Sequence, residues 1–260
     1  MSNIELTIKS ELSNGRKVLS IFLTTGFPAM SGFTDLVLQI LEAGADMVEL
    51  GIPFSDPIAD GPVIQFSSQV ALANGVNVEK VFNVVEEIKQ NTNKPIILMG
   101  YANPIQSYGL ENFVKSCKQI KVDGIIVPDI PIEEYNDFFS LNMKDLDVIL
   151  LVSPTSENDR IKLIGNKSKG FVYCVSVKGI TGERNSVSDE SIKYIQKVKR
   201  LLPDKNILVG FGVSSPQIAR TYAEHSDGVI VGSAIVKLLS ENKVKKSLEL
   251  ISSIKNSLRT

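Results

Sequence analysis

Met47-Val48-Glu49-Leu50-Gly51-Ile52-Pro53-Phe54-Ser55-Asp56-Pro57-Ile58-Ala59-Asp60-Gly61-Pro62 joins a short apolar run to a loop built from three prolines and two glycines. The run reads as a strand, and the proline and glycine spacing gives the loop a set shape. Alternation along a strand puts Val48 and Leu50 on one face, Met47 and Glu49 on the other. With the first pair against covering helices, Glu49 points to the opposite side, near the strand's C-terminal end.

The same unit recurs along the chain. Strands are predicted at 18–24, 47–50, 96–99, 124–127, 148–152, 171–175, 207–209 and 228–231, most of them apolar on both faces, as in a parallel sheet covered on both sides. Amphipathic stretches fill the gaps: Leu36, Ile40 and Leu41 share a helix face, as do Val81, Val84, Val85 and Ile88, and Ile192, Ile195, Val198 and Leu202. Gly44, Lys94-Pro95 and Pro203 supply stops, and Ser214-Ser215-Pro216 and Asp189 supply starts. Eight βα units in 260 residues predict a closed (β/α)8 TIM barrel forming one domain over residues 1–260. The rival, an open doubly wound sheet, lacks support because no G-x-G-x-x-G follows the first strand. Residues before Val18 read as an extra N-terminal helix under the barrel. The connection after the second strand runs about 45 residues where a single helix needs fewer, so it should hold an additional helix.

Composition narrows the chemistry. With 28 Lys+Arg against 29 Asp+Glu the net charge is −1, which offers no footprint for nucleic acid or an anionic membrane. Cys117 and Cys174 have no nearby Cys or His at metal-ligand spacing, and the single His225 cannot build a His-rich metal site or a His-based triad. No run reaches the roughly 18–20 apolar residues of a membrane span, and the N-terminus carries no signal pattern. A cytoplasmic protein without metal is the expectation.

Active sites of this fold sit at the C-terminal rim of the strands, where Glu49 points. Glu49 is either paired or hydrogen-bonded at a strand end, or a carboxyl among apolar side chains whose raised pKa suits proton transfer near neutral pH. Asp56 and Asp60 stand in turn dipeptides, yet beside Glu49 they add carboxylates at the same rim. Asp60 can then stay ionised and stabilise a developing cation. Tyr173 alternates with Cys174, so one of the two points inward. Glycine corners follow the last three strands: Gly179 and Gly182, then Gly210-Phe211-Gly212, then Gly232-Ser233 opening a helix. Small residues and a helix N-terminus favour a phosphate site there. Lys178, just past the sixth strand, is either a solvated loop lysine or a Schiff-base former. His225 lies away from the mouth.

Residues 49–62 resemble the signature of the tryptophan synthase α-subunit family. The likeness continues through Tyr101-Ala102-Asn103-Pro104, Val127-Pro128-Asp129, Gly179-Ile180-Thr181-Gly182, Gly210-Phe211-Gly212-Val213-Ser214 and Gly232-Ser233-Ala234-Ile235-Val236, across essentially the whole chain. The resemblance implies a barrel that cleaves indole-3-glycerol phosphate to indole and glyceraldehyde 3-phosphate by a retro-aldol reaction. It implies catalytic roles for Glu49 (acid/base), Asp60 (stabilising the cation at the indole N–H) and Tyr173 (near the glycerol chain). Gly182, Phe211, Gly212, Gly232 and Ser233 match the phosphate cradle, Thr181 the closing loop, and Phe22, Leu98 and Met99 the indole pocket. It further implies no cofactor on this chain and an α2β2 assembly with a β subunit that carries pyridoxal phosphate. Pro53, Asp56, Pro57, Asn103 and Pro104 would touch that partner. The chain departs from the family at Lys178, where a small residue is expected before Gly179.

Overall fold

Strands form where Val, Ile and Leu cluster, and in the computed structural model, which describes residues 1–139, 146–176, 187–210 and 212–259, every strand joins one sheet. These are β1 (Val18–Thr24), β2 (Met47–Gly51), β3 (Ile96–Met99), β4 (Gly124–Ile126), β5 (Asp147–Val148), β6 (Leu150–Val152), β7 (Val172–Val175), β8 (Ile207–Gly210) and β9 (Gly228–Val231). All pairings are parallel, and β1 lies between β2 and β9. The fifth predicted strand is divided at Ile149: β5 pairs with β4, β6 with β7. Two pieces of one strand thus close the ring, which gives the eight positions of a (β/α)8 barrel. The break has a local cause. The Leu150 N–H donates to Ser168 Oγ at 3.0 Å, and that hydroxyl donates to the Phe171 carbonyl at 2.6 Å.

Strand alternation sorts the core into two layers. Leu19, Ile21 and Leu23 of β1, with Val48 and Leu50 of β2, pack outward against the helices. Val18, Met47, Ile97, Ile126, Ile149, Phe171, Tyr173, Leu208 and Ile230 fill the barrel. Its floor is the N-terminal helix Asn3–Ser13, which inserts Ile4 and Ile8 among them. A reciprocal cap starts that helix: the Glu5 N–H donates to Ser2 Oγ, and the Ser2 N–H to Glu5 Oε2. The connection after β2 holds two helices, Pro62–Ala73 and Val78–Lys89, so the additional helix is there. Pro62 opens the first and Asn77 caps the second.

A repeated device fastens the strand starts. Asp46, Asp123 and Asp227 each precede a strand and accept an early N–H of its neighbour, from Leu19 at 2.8 Å, Ile96 at 2.7 Å and Ile207 at 2.7 Å. Each carboxylate also meets a lysine: Lys255, Lys89 and Lys199 respectively. The floor is thereby fixed at the end of the barrel opposite the mouth.

Candidate active site

Glu49 comes into position because β2 alternates as its sequence demands. It is paired in register with Phe22 of β1 and Ile97 of β3, and its side chain is fully buried. Ser20 Oγ, from β1, donates to Glu49 Oε1 at 2.8 Å. Oε2 is buried without a hydrogen-bond partner among the described residues. Burial pushes the Glu49 carboxyl up to about 7, and the Ser20 hydrogen bond works against that rise. A carboxyl so placed changes its charge at physiological pH.

Above it lies a pocket of about 450 Å³, counted to its open mouth, lined by Phe22, Asp60, Ile64, Met99, Tyr173, Gly212, Val213, Ile230, Gly232 and Ser233. Seven of the residues singled out from the sequence, carried on six separate segments, therefore meet in one place. Phe22, Ile64, Met99 and Ile230 give it an apolar wall. Gly212, Gly232 and Ser233 give it small, backbone-exposing edges, and Ser233 opens the helix Ser233–Ser240. The first N–H groups of that helix have no intrahelical acceptor and carry the positive end of its dipole.

Asp60 is held by a residue whose role the sequence reading did not assign. Tyr101 Oη donates to Asp60 Oδ2 at 2.9 Å and accepts the Ala59 N–H at 3.1 Å. Burial raises the Asp60 carboxyl to about 6, against the Tyr101 hydrogen bond. Tyr101 is fixed in turn by stacking on Phe54, ring centres 5.4 Å apart, and by the next residue, whose N–H donates to Asp129 Oδ1 at 3.0 Å. Tyr173, not Cys174, points inward; Cys174 packs in the outer layer. Burial, then the charges of Glu49 and Asp60, hold the Tyr173 phenol well above its ordinary range. A Cβ at Gly210 would stand 2.2 Å from Tyr173 Oη, so the glycine leaves room for the phenol.

Leu98 is a correction. It pairs with Leu50 and packs in the outer layer, so the wall on β3 is Met99. Lys178, Gly179, Thr181, Gly182 and Phe211 lie outside the described residues. Pro53, Asn103 and Pro104 line a surface groove of about 860 Å³ together with Phe54, Leu72 and Tyr108. Asp56 is exposed and bonded to Ser55 Oγ, and Pro57 is buried. His225 is half-buried near Gln196, far from the mouth in topology. Among the described residues no cluster of three His, Cys, Asp or Glu could hold a metal ion, and no helix is long and apolar enough to cross a membrane.

Fold and site together define a (β/α)8 barrel with a titratable, buried carboxyl beneath a mouth pocket that is apolar on one side and glycine-edged on the other. The sequence model of the tryptophan synthase alpha chain matches residues 8–258. The tryptophan synthase alpha chain of Petrotoga mobilis is 39% identical over 247 residues, 95% of either chain. That of a Thermoanaerobacter species is 41% identical over 261 residues, covering 100% of this chain and 99% of its own. A solved structure of Mycobacterium tuberculosis tryptophan synthase superposes with a TM-score of 0.92 at 32% identity, over 100% of this chain and 99% of that one. The chain belongs to the tryptophan synthase alpha chain family.

Proposed function

We propose that this chain is a carbon–carbon lyase that cleaves indole-3-glycerol phosphate to indole and glyceraldehyde 3-phosphate, supplying indole for tryptophan biosynthesis. The observation that carries the reading is Glu49: fully buried, hydrogen-bonded through one oxygen, and titrating at about 7 beside an apolar-walled pocket.

The bond to be broken joins indole C3 to the carbon that bears the first glycerol hydroxyl. Carbon leaves badly from an intact aromatic ring, so C3 must be protonated first. Protonated Glu49 gives its proton to C3. The positive charge that appears at the ring nitrogen is met by ionised Asp60, oriented by Tyr101. Glu49, now a carboxylate, takes the proton of the glycerol hydroxyl. The C–C bond breaks, its electron pair restores the aromatic ring, and the aldehyde forms. One proton leaves Glu49 and one returns, so the step balances without a redox partner. Phe22, Met99 and Ile64 suit the indole ring, and Gly212, Gly232 and Ser233 suit the phosphate; Gly182 and Phe211 are assigned to the phosphate on the family resemblance alone. Tyr173 lies among the groups facing the glycerol chain, and Thr181 is assigned to loop closure.

The partner is a tryptophan synthase β subunit in an α2β2 assembly, and pyridoxal phosphate is assigned to that subunit. The groove at Pro53, Asn103 and Pro104, with the adjoining loop that carries exposed Asp56 and buried Pro57, is the surface we assign to it. A cytoplasmic location follows from the same role. Glu49→Gln tests the mechanism: indole release should fall by about 10³-fold or more, with circular dichroism and β-subunit binding retained. Turnover at the parent rate in that variant would contradict it.

A further inference from the structure

Ser20 stands inside an apolar barrel, fully buried, on the inner face of β1 with Val18 and Phe22. A serine there needs a partner, and its partner is Glu49 Oε1 at 2.8 Å. The register explains the meeting. Phe22 is paired with Glu49 and Ser20 with Met47, so the hydroxyl reaches the carboxyl from one pair below. The two oxygens of Glu49 are thereby made unequal: Oε1 accepts a hydrogen bond, and Oε2 has no such partner among the described residues.

We propose that Ser20 is a positioning residue for the lyase reaction: its hydroxyl occupies Oε1, so that the proton exchanged with substrate travels on Oε2. This rests on the acid/base reading of Glu49. Two effects follow. The carboxyl is pinned in one orientation, and its ionised form is favoured, because a donor at Oε1 stabilises the carboxylate formed once C3 has taken the proton. Among the described residues, Tyr173 of β7 is the titratable group that feels the charge of this carboxyl, and it feels as well that of Asp60 of the loop after β2. Asp60 is engaged by Tyr101. The burial of Glu49 and the Ser20 bond are what act on Glu49 itself.

The test compares Ser20→Ala and Ser20→Thr with the parent chain. Two quantities are read: the rate of indole release against pH, and the titration of the Glu49 carboxyl by carbon-13 NMR of labelled protein, assigned by the signal lost in Glu49→Gln. In Ser20→Ala the carboxyl titration and the alkaline limb should both move up by about one unit, and kcat should fall about tenfold with KM changed less than about twofold. Ser20→Thr, which keeps the hydroxyl, should return both close to the parent. The inference is overturned when Ser20→Ala moves the carboxyl by less than about 0.2 unit, or when Ser20→Thr moves it as far as alanine does. Turnover retained in Glu49→Gln overturns instead the acid/base reading beneath it, and the NMR titration separates that case because it reads the carboxyl without turnover.

Discussion

Glu49 and Asp60 are both pushed up by burial, yet to different heights, about 7 and about 6. That order fits the proposed mechanism, in which Glu49 is protonated and Asp60 ionised. Activity should therefore fall as pH drops through about 6, where Asp60 takes a proton, and again as pH rises through about 7, where Glu49 loses one. A narrow bell in kcat/KM for indole release is the expected profile; a flat profile from pH 5.5 to 8 would contradict the assignment. Tyr101 adds a second check. It donates to ionised Asp60, so Tyr101→Phe should move the acid limb up by about one unit and cut kcat/KM at pH 6 by about fivefold. Glu49 was legible in the sequence because a charged residue interrupts an apolar strand and alternation fixes its direction. Ser20 and Tyr101 were not assigned roles, for a shared physical reason: neither a small polar residue inside a strand nor a tyrosine in the loop after β3 gives a periodic signal, and only a distance reveals its partner. Leu98 was misplaced because β3 is apolar on both faces, so hydrophobicity carries no parity. The pairing of Ile97 with Glu49 supplies the parity and turns Leu98 outward.

At the scale of elements, the β/α alternation was readable because each strand is a short apolar run bounded by helix stops, and the long gap after β2 announced its second helix. The division of the fifth strand was not readable. It depends on Ser168 taking the Leu150 N–H from another segment. The aspartates that precede β2, β4 and β9 were equally silent as a set, since their partners come from neighbouring strands and distant lysines. Lys255 is the most connected of these cations: Nζ lies 2.7 Å from Glu11 and 2.5 Å from Asp46, both poorly exposed. It ties the floor helix, β1, β2 and the C-terminal helix Val244–Ser257 together. Lys255→Ala leaves Asp46 buried without its cation and should lower stability by about 2–3 kcal/mol in urea denaturation at pH 7. A loss under about 0.5 kcal/mol would show that the network is solvated rather than structural.

Over the whole molecule, floor and mouth do separate work. The ion pairs and Ile4 and Ile8 close one end, and the pocket and the Pro53–Asn103–Pro104 groove occupy the other. The candidate active site and the groove we assign to the partner are thus on the same rim, joined through the loop that carries Asp60 and through Tyr101, which bonds Asp60 and precedes Asn103 by two residues. A partner docked on the groove would bear on Asp60 through that short path. The most direct measurement is indole release from indole-3-glycerol phosphate by the purified chain, with and without a tryptophan synthase β subunit. The account predicts measurable release by the chain alone and an increase of about tenfold or more when the partner is added, a coupling of about 1.4 kcal/mol or more. No release in either condition would contradict it.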